Sequence, residues 1–143
     1  MCVEKIEYFY PVENGNFTFS YHSNFDQKET TMNVRFNYGL YKLNTRNINY
    51  KIKLQIEQSD GKKFIPVYKD ENNQNGRVFN FDSGNITYAG QINNNLGNAY
   101  FYIDTGNIIF RKNSDYRATL VLLDAQEKEL DQARCYFDVK DDE

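Results

Sequence analysis

The chain has 143 residues, a formal net charge of −3 and 16% aromatic residues. This length predicts one domain over residues 1–143, and the high aromatic content with low net charge excludes a disordered chain. An isoelectric point near 5.2 argues against nucleic-acid binding, which needs a basic surface, and no apolar run is long enough to predict a membrane span.

The first residues, MCVEKIEYFY, lack the apolar segment of a signal peptide. We therefore expect either a cytoplasmic protein or, if a signal peptide was removed at Cys2, a periplasmic or cell-surface lipoprotein. The two cysteines, Cys2 and Cys135, form neither a disulfide framework nor a metal site. Three states stay open for them: two free thiols, a disulfide between the first and last strands, or an acylated Cys2.

Apolar residues alternate with polar ones along nearly the whole chain, which predicts β-strands. The first two strands are indicated at residues 6–10 and 17–21. The longest alternation runs from Met32 to Leu40, and its parity changes after Gly39, which suggests a β-bulge. The remaining strands are expected near residues 48–56, 64–67, 78–81, 86–92, 99–103, 108–110, 116–123 and 133–139.

The last two strands carry a specific pattern. In SDYRATLVLLD, Tyr116, Ala118 and Leu122 share one face, and DQARCYFDV continues the alternation after a polar turn. This hairpin resembles the last two strands of immunoglobulin-like β-sandwich modules. The resemblance implies that the Tyr116 hydroxyl bonds an upstream backbone group as a tyrosine corner. It also implies an all-β fold, a single Ig-like antiparallel β-sandwich of about 8–10 strands with almost no helix.

The cysteine pair and the tryptophan of antibody-type domains are missing, and Ala118 stands at one of the cysteine positions. The chain is therefore more similar to the Ig-like modules of bacterial surface proteins or of phage tail and baseplate proteins. The bias toward Asn, Ile and Lys indicates an AT-rich genome, in keeping with a bacterial or phage source.

No catalytic pattern is present. His22 is the single histidine, no serine lies in a nucleophile elbow, and no glycine-rich loop precedes a helix. Five aspartates follow predicted strands, where they favour turn capping over calcium binding because no D-x-D-x-D spacing occurs. They are Asp60, Asp70, Asp82, Asp104 and Asp124. We predict a protein that is not an enzyme and that has no catalytic residue, metal or cofactor.

Several strands are apolar on both faces, whereas a sandwich strand normally buries one face. The simple explanation is that loops or neighbouring strands cover the second face of these strands. The alternative hypothesis is one apolar patch that contacts a protein partner or a second copy of the chain. The residues of that predicted patch are Phe9, Phe101, Ile109, Val121 and Leu123.

The alternative function is a carbohydrate- or small-ligand-binding β-sandwich, with exposed tyrosines stacking on the ligand. The candidate residues are Tyr41, Tyr68 and Tyr88, which are the tyrosines least tied to a core face. The absence of tryptophan, the largest stacking surface, weighs against this function. A barrel with a lipid pocket is disfavoured because the inward positions are bulky.

Overall fold

Strands dominate the computed structural model, which describes residues 4–25, 27–46, 48–93 and 95–142. Within these residues the single helical element is a short 3-10 turn at Ser83–Asn85. The strands are β1 (Lys5–Glu13), β2 (Asn16–Phe17), β3 (Ser20–Ser23), β4 (Glu29–Met32), β5 (Arg35–Asn44), β6 (Asn49–Ser59), β7 (Phe64–Pro66), β8 (Arg77–Asp82), β9 (Gly90–Asn93), β10 (Leu96–Asp104), β11 (Ile108–Arg111), β12 (Asp115–Leu123) and β13 (Glu129–Asp141).

The strands form two main sheets and one small one. The five-stranded sheet has the order β2-β1-β5-β10-β9, and the six-stranded sheet has the order β3-β13-β12-β6-β7 with β8 also paired to β6. Strands β4 and β11 form a separate antiparallel pair. All pairings between named strands are antiparallel except that of β3 with β13, which is parallel. The predicted all-β sandwich is confirmed.

The core lies between the two main sheets. Alternate residues of β5 and β6 point inward, among them Phe36, Leu40, Leu54 and Ile56, and all four are almost fully buried. Each such side chain contributes about 1.5–3 kcal/mol by its removal from water. One end of the core is an aromatic cluster with neighbouring ring centroids 5.1–6.3 Å apart. Its members are Tyr21, Phe36, Phe110, Tyr116 and Phe137.

The predicted long strand from Met32 to Leu40 is divided in the structure. Strand β4 ends at Met32 and pairs with β11, whereas β5 begins at Arg35 and joins the five-stranded sheet. Between β4 and β5, where the chain passes from one sheet to the other, the N–H of Val34 donates a hydrogen bond to Oγ1 of Thr105 at 3.1 Å. Because predicted strands are divided in this way, the described residues form thirteen strands, more than the 8–10 that were predicted. The irregularity predicted at the parity change is present directly after Gly39: the register against β10 shifts between Leu40 and Leu43, and Lys42 within that stretch has φ 61°.

Tyr116 makes the hydrogen bond that the immunoglobulin-like resemblance implies. Its buried hydroxyl accepts from the backbone N–H of Arg111 at 2.6 Å, and its ring stacks on Phe137 at 5.5 Å. On the neighbouring strand, Cys135 forms no disulfide with another described residue, and burial raises the pKa of its thiol to about 12. Cys2 lies outside the described residues. No helix within those residues is long and apolar enough to span a membrane.

Candidate functional site: an aromatic sheet face

The outer surface of the five-stranded sheet and its adjoining edge carry a continuous series of aromatic rings, which we call the aromatic face. Successive ring centroids lie 6.0 Å apart for Tyr100 and Tyr8, 5.6 Å for Tyr8 and Tyr10, 5.5 Å for Tyr10 and Phe17, and 4.8 Å for Phe17 and Phe19. Tyr102 stands beside Tyr100, two positions along β10. The aromatic face therefore comprises Tyr8, Tyr10, Phe17, Phe19, Tyr100 and Tyr102.

Strand register brings these rings together from distant parts of the sequence. Tyr8 of β1 and Tyr100 of β10 are both paired with Gly39 of the central strand β5. One step along the sheet, Tyr10 and Tyr102 are both paired with Asn37. Because paired residues point to the same face of a sheet, four tyrosines surround two small central residues.

Gly39 lets the Tyr8 ring lie close against the middle strand. A Cβ atom at this position would lie 2.3 Å from Cε2 of Tyr8, far inside van der Waals contact. A glycine within a strand often marks a close approach of this kind. The Tyr8 ring is therefore held against the backbone, and its outer side and hydroxyl are left for contacts.

A bulge sets the direction of the β1 side chains. The register of β1 against β5 shifts between Ile6 and Tyr8. Beyond the shift, Phe9 points into the core, where its ring lies 5.3 Å from that of Phe36. Tyr8 and Tyr10 consequently point outward. Their phenol rings therefore face solvent, whereas the phenyl ring of Phe9 is buried.

The aromatic face carries little net charge. At one end, the guanidinium of Arg35 donates to both carboxylate oxygens of Asp104 at 2.8 and 3.0 Å and lies 4.0 Å from the ring centre of Tyr102. These hydrogen bonds lower the pKa of Asp104, which keeps the ion pair charged at neutral pH. Burial and the neighbouring phenols raise the pKa of Tyr8, so its hydroxyl remains protonated there.

The aromatic face is exposed despite its internal contacts. The exposed fraction is 54% for Phe17, 73% for Phe19, 64% for Tyr100 and 61% for Tyr102. Scattered exposed apolar residues are ordinary, but contiguous ones on a folded domain mark an interaction surface. These rings form the largest contacting group of exposed aromatic side chains among the described residues.

Much of the flat ring surface is already in use. Tyr8 lies against Gly39, the Tyr102 ring is covered by Arg35, and Tyr10 stacks on Phe17 with 30° between the ring planes. The aromatic face therefore presents ring edges and hydroxyl groups in addition to open ring surface. This mixture suits a partner with both apolar groups and hydrogen-bonding groups.

The outer surface of the six-stranded sheet, which we call the charged face, is different. Arg117 donates to Glu57 at 2.7 Å and lies 4.1 Å from the ring centre of Phe64. Val121 and Leu123 also lie on this face, yet both are buried. In register, Lys53 and Gln132 flank Val121, and Lys51 and Glu129 flank Leu123, so long side chains with aliphatic stems stand beside both residues.

The predicted patch of Phe9, Phe101, Ile109, Val121 and Leu123 is wrong as a single surface. Phe9 is buried in the core, and Phe101 points inward, where it stacks on Tyr38 at 5.1 Å. Val121 and Leu123 are covered on the charged face. Ile109 is the exposed member, at 60%, but it lies on β11 in the small two-stranded sheet.

The tyrosines predicted for ligand binding are also not brought together. Tyr68 is fully buried, with its hydroxyl donating to the Thr105 carbonyl at 2.9 Å, so the prediction that it is an exposed stacking residue is wrong. Tyr88 is partly buried and donates to the Ser83 carbonyl at 2.6 Å. Tyr41 is partly exposed on β5, and the ammonium of Lys42 lies 5.4 Å from its ring centre.

A chemical signal in the sequence identifies the residues that were missed. Both EYFY and AYFYI place a phenylalanine between two tyrosines, and in each case the tyrosines face outward. A hydroxyl is costly to bury without a partner, so the tyrosine side of such a strand favours solvent. Elsewhere, the described residues contain no group of three or more His, Cys, Asp or Glu residues suited to a metal ion.

Comparisons with known proteins give no family. No protein-family model matches the chain, and no curated protein matches it. Solved structures with similar folds include a candidate β-galactosidase from Bacteroides fragilis, with 11% identity over 93% of this chain and 17% of that one and a TM-score of 0.49. A Niemann-Pick type C2 protein from the Japanese carpenter ant has 6% identity, coverage of 96% and 93%, and a TM-score of 0.44.

A sporulation control protein from Bacillus subtilis has 8% identity over 98% of this chain and 50% of that one, with a TM-score of 0.36. The chain spans 17% of the length of the first of these proteins. All three TM-scores lie below 0.5, so the function must be argued from the geometry of the aromatic face.

Proposed function

We propose that this chain is a non-catalytic binding module that makes protein–protein contacts through the aromatic face. The observation that carries the proposal is the unbroken series of ring contacts from Tyr100 to Phe19 on a solvent-exposed surface. Tyrosine and phenylalanine are enriched at the centres of protein interfaces, and charged residues are depleted there.

The rigidity of the aromatic face supports the same function. Its rings are held by one another, by the close approach to Gly39 and by Arg35, so little side-chain freedom remains to be lost on binding. Tyrosine also combines a large contact area with one hydrogen-bonding group. A protein partner offers the apolar and polar groups that this surface can use at the same time.

Carbohydrate binding is the competing function on the same residues. Sugars stack on open aromatic ring surfaces, and three rings of the aromatic face are partly occupied by Gly39, Arg35 and Phe17. The geometry therefore favours a protein partner, and a glycan-array measurement distinguishes the two. Strong glycan binding that is lost in a Tyr100→Ser variant would contradict the protein-contact proposal.

The direct test compares two variants, each of which replaces two exposed side chains by serine. The face variant carries Tyr100→Ser and Tyr102→Ser, and the control variant carries Ile65→Ser and Val78→Ser, which lie on strands of the six-stranded sheet. Each protein serves as bait in quantitative affinity capture, and sedimentation velocity reports self-association. We expect the wild type and the control variant to capture the same protein, or to form the same dimer. The face variant should lose that interaction.

Two outcomes would overturn the proposal. One is a partner retained by the face variant and lost by the control variant. The other is a wild-type protein that sediments as a monomer and whose captured proteins are all recovered equally well by the face variant.

A further inference from the structure

A second surface adjoins the aromatic face at Phe19. Phe19 contacts Phe17 on one side, and on the other it lines a cleft of about 360 Å³ at the end of the six-stranded sheet. Phe64 and Tyr136 also line this cleft, with ring centroids 6.3 Å apart. Phe19 and Tyr136 are 73% and 57% exposed, so two of the three rings are largely uncovered.

Two carboxylates line the same cleft. Asp115 of β12 and Asp138 of β13 are directly opposite each other in the antiparallel register. Like charges placed opposite each other destabilise a sheet. Neither aspartate forms an ion pair with another described residue, so their repulsion is not relieved by a partner within that part of the chain.

Asp138 has a further anomaly. Its Oδ1 atom is buried and has no hydrogen-bond donor among the described residues, and it is the one side-chain oxygen or nitrogen there in that state. A buried acceptor without a donor costs about 1–3 kcal/mol, more when it is charged. Such a group in a folded protein calls for an explanation, and an absent ligand with N–H donors is one.

The molecule contains two complete arrangements of a guanidinium with a ring and a carboxylate, and one of them stands at the wall of this cleft, because its ring is Phe64. Arg35 lies over the Tyr102 ring and bonds Asp104, and Arg117 lies over the Phe64 ring and bonds Glu57. In each, one guanidinium joins an aromatic ring to a carboxylate. Among the described residues no guanidinium lies over Phe19 or Tyr136 or bonds the two aspartates, because that of Arg117 already lies over Phe64 and bonds Glu57.

From this juxtaposition we infer that the cleft between Phe19, Tyr136 and the Asp115–Asp138 pair binds an arginine side chain of the protein partner. A guanidinium is planar, stacks on rings, and donates to two carboxylate oxygens at once. Its positive charge removes the repulsion between the aspartates. The inference rests on the proposed function, because continuity through Phe19 places this arginine beside the apolar contact on the aromatic face.

The test uses butylguanidinium chloride as the probe for an arginine side chain. It is titrated into the isotopically labelled full chain and followed by backbone amide shifts, with sodium chloride of equal ionic strength as the reference. We expect saturable shifts centred on Phe19, Asp115, Tyr136 and Asp138. Butylammonium chloride is expected to bind more weakly, because an ammonium cannot stack or donate in a fork.

Two variants with the same change in charge give the decisive comparison. Asp115→Asn removes one cleft carboxylate at an exposed position, and Glu71→Gln removes an exposed carboxylate in a loop away from the cleft. We expect Asp115→Asn to weaken butylguanidinium binding roughly tenfold or more, the loss of one charge-assisted bond, and Glu71→Gln to leave it unchanged. Asp138→Asn should also weaken it.

The inference is overturned if the shifts do not saturate, if Asp115→Asn and Glu71→Gln behave alike, or if butylammonium binds as tightly as butylguanidinium. The result is separate from that of the capture experiment. The probe reports on the cleft alone, and the Tyr100 and Tyr102 variants report on the aromatic face. Loss of one result with the other intact shows which proposal has failed.

Discussion

The two outer faces of the sandwich use opposite means to meet solvent. On the charged face, Arg117 pairs with Glu57, and the aliphatic residues Val121 and Leu123 are buried although they point outward. The aromatic face has one ion pair at its end and leaves its rings in the open. Apart from the cleft at its end, the first arrangement satisfies its charged groups within the chain, whereas the second leaves aromatic contact groups open.

Apolar content alone therefore does not identify an interaction surface in this fold. Val121 and Leu123 are aliphatic and are covered, whereas Tyr100 and Tyr102 are amphipathic and are exposed. Burial depends on what the neighbouring strands contribute at the same register position. Four sets of substitutions test this contrast between the two faces.

Gly39→Ala is expected to have the largest effect, because the new Cβ would overlap the Tyr8 ring. Overpacking of this kind costs about 1–3 kcal/mol in the free energy of unfolding, measured by urea denaturation. Combining it with Tyr8→Ala should recover part of the loss, since the overlapping ring is gone. Strictly additive losses in this double-mutant cycle would show that Tyr8 does not pack on Gly39.

Val121→Ser should lower the free energy of unfolding by about 1–2 kcal/mol, because a covered aliphatic side chain is replaced by a hydroxyl. Ile109→Ser, at an exposed position, should change it by no more than about 0.5 kcal/mol. Thermal or urea unfolding measures both. Equal effects would mean that the charged face does not cover Val121.

Arg117→Ala should cost about 1 kcal/mol, through lost packing on Phe64 as well as the lost ion pair. Arg35→Ala should cost less, because its ion pair with Asp104 is more exposed. The lowered pKa of Asp104 predicts the pH dependence. Stabilisation by this pair is full above the ordinary Asp pKa of about 4 and disappears as the pH falls below it.

Unfolding measured against pH therefore tests the Arg35 pair specifically. The gap in stability between the wild type and Arg35→Ala should narrow as the pH falls below about 4. If the difference in free energy of unfolding stays constant until the protein unfolds in acid, the Arg35–Asp104 ion pair does not contribute to stability.

Tyr100→Ser should have the smallest effect on folding, at most about 0.5 kcal/mol, because the side chain is largely exposed and has one ring neighbour, Tyr8. Its effect on partner binding should be the largest of the four. Wild-type stability together with wild-type partner recovery in this variant would show that the aromatic face does not bind the partner.

The sequence was most informative where one face of a strand is clearly apolar. The alternation in β12 and β13 predicted their hairpin, and the register pairs Tyr116 with Phe137 and Ala118 with Cys135. The resemblance to immunoglobulin-like modules, rather than the alternation, implied the backbone hydrogen bond of Tyr116. In these strands local pattern and tertiary burial agree, so the periodicity was sufficient to assign the inward face.

The aromatic face could not be predicted from periodicity in the same way. Strands β1 and β10 carry aromatic residues on both sides, so alternation does not decide whether Phe9 or Tyr8 points inward. The bulge after Ile6 and the shared pairing of Tyr8 and Tyr100 with Gly39 depend on long-range register. The division of β4 from β5 likewise depends on Thr105, more than 70 positions away from Val34 in the sequence.

The parallel pairing of β3 with β13 also bears on how the chain is made. The backbone N–H of Ile6 donates to a carboxylate oxygen of Asp131, 125 positions later, so the first strands are completed by the last one. The six-stranded sheet cannot be completed until the ribosome has released β13, whereas the five-stranded sheet contains no residue after Asp104. Until β13 is released, the inner faces of the early strands lack part of their apolar cover. Contacts this distant in sequence slow folding and expose the nascent chain to aggregation. Newly synthesised copies should therefore depend on chaperones until translation has passed Asp141.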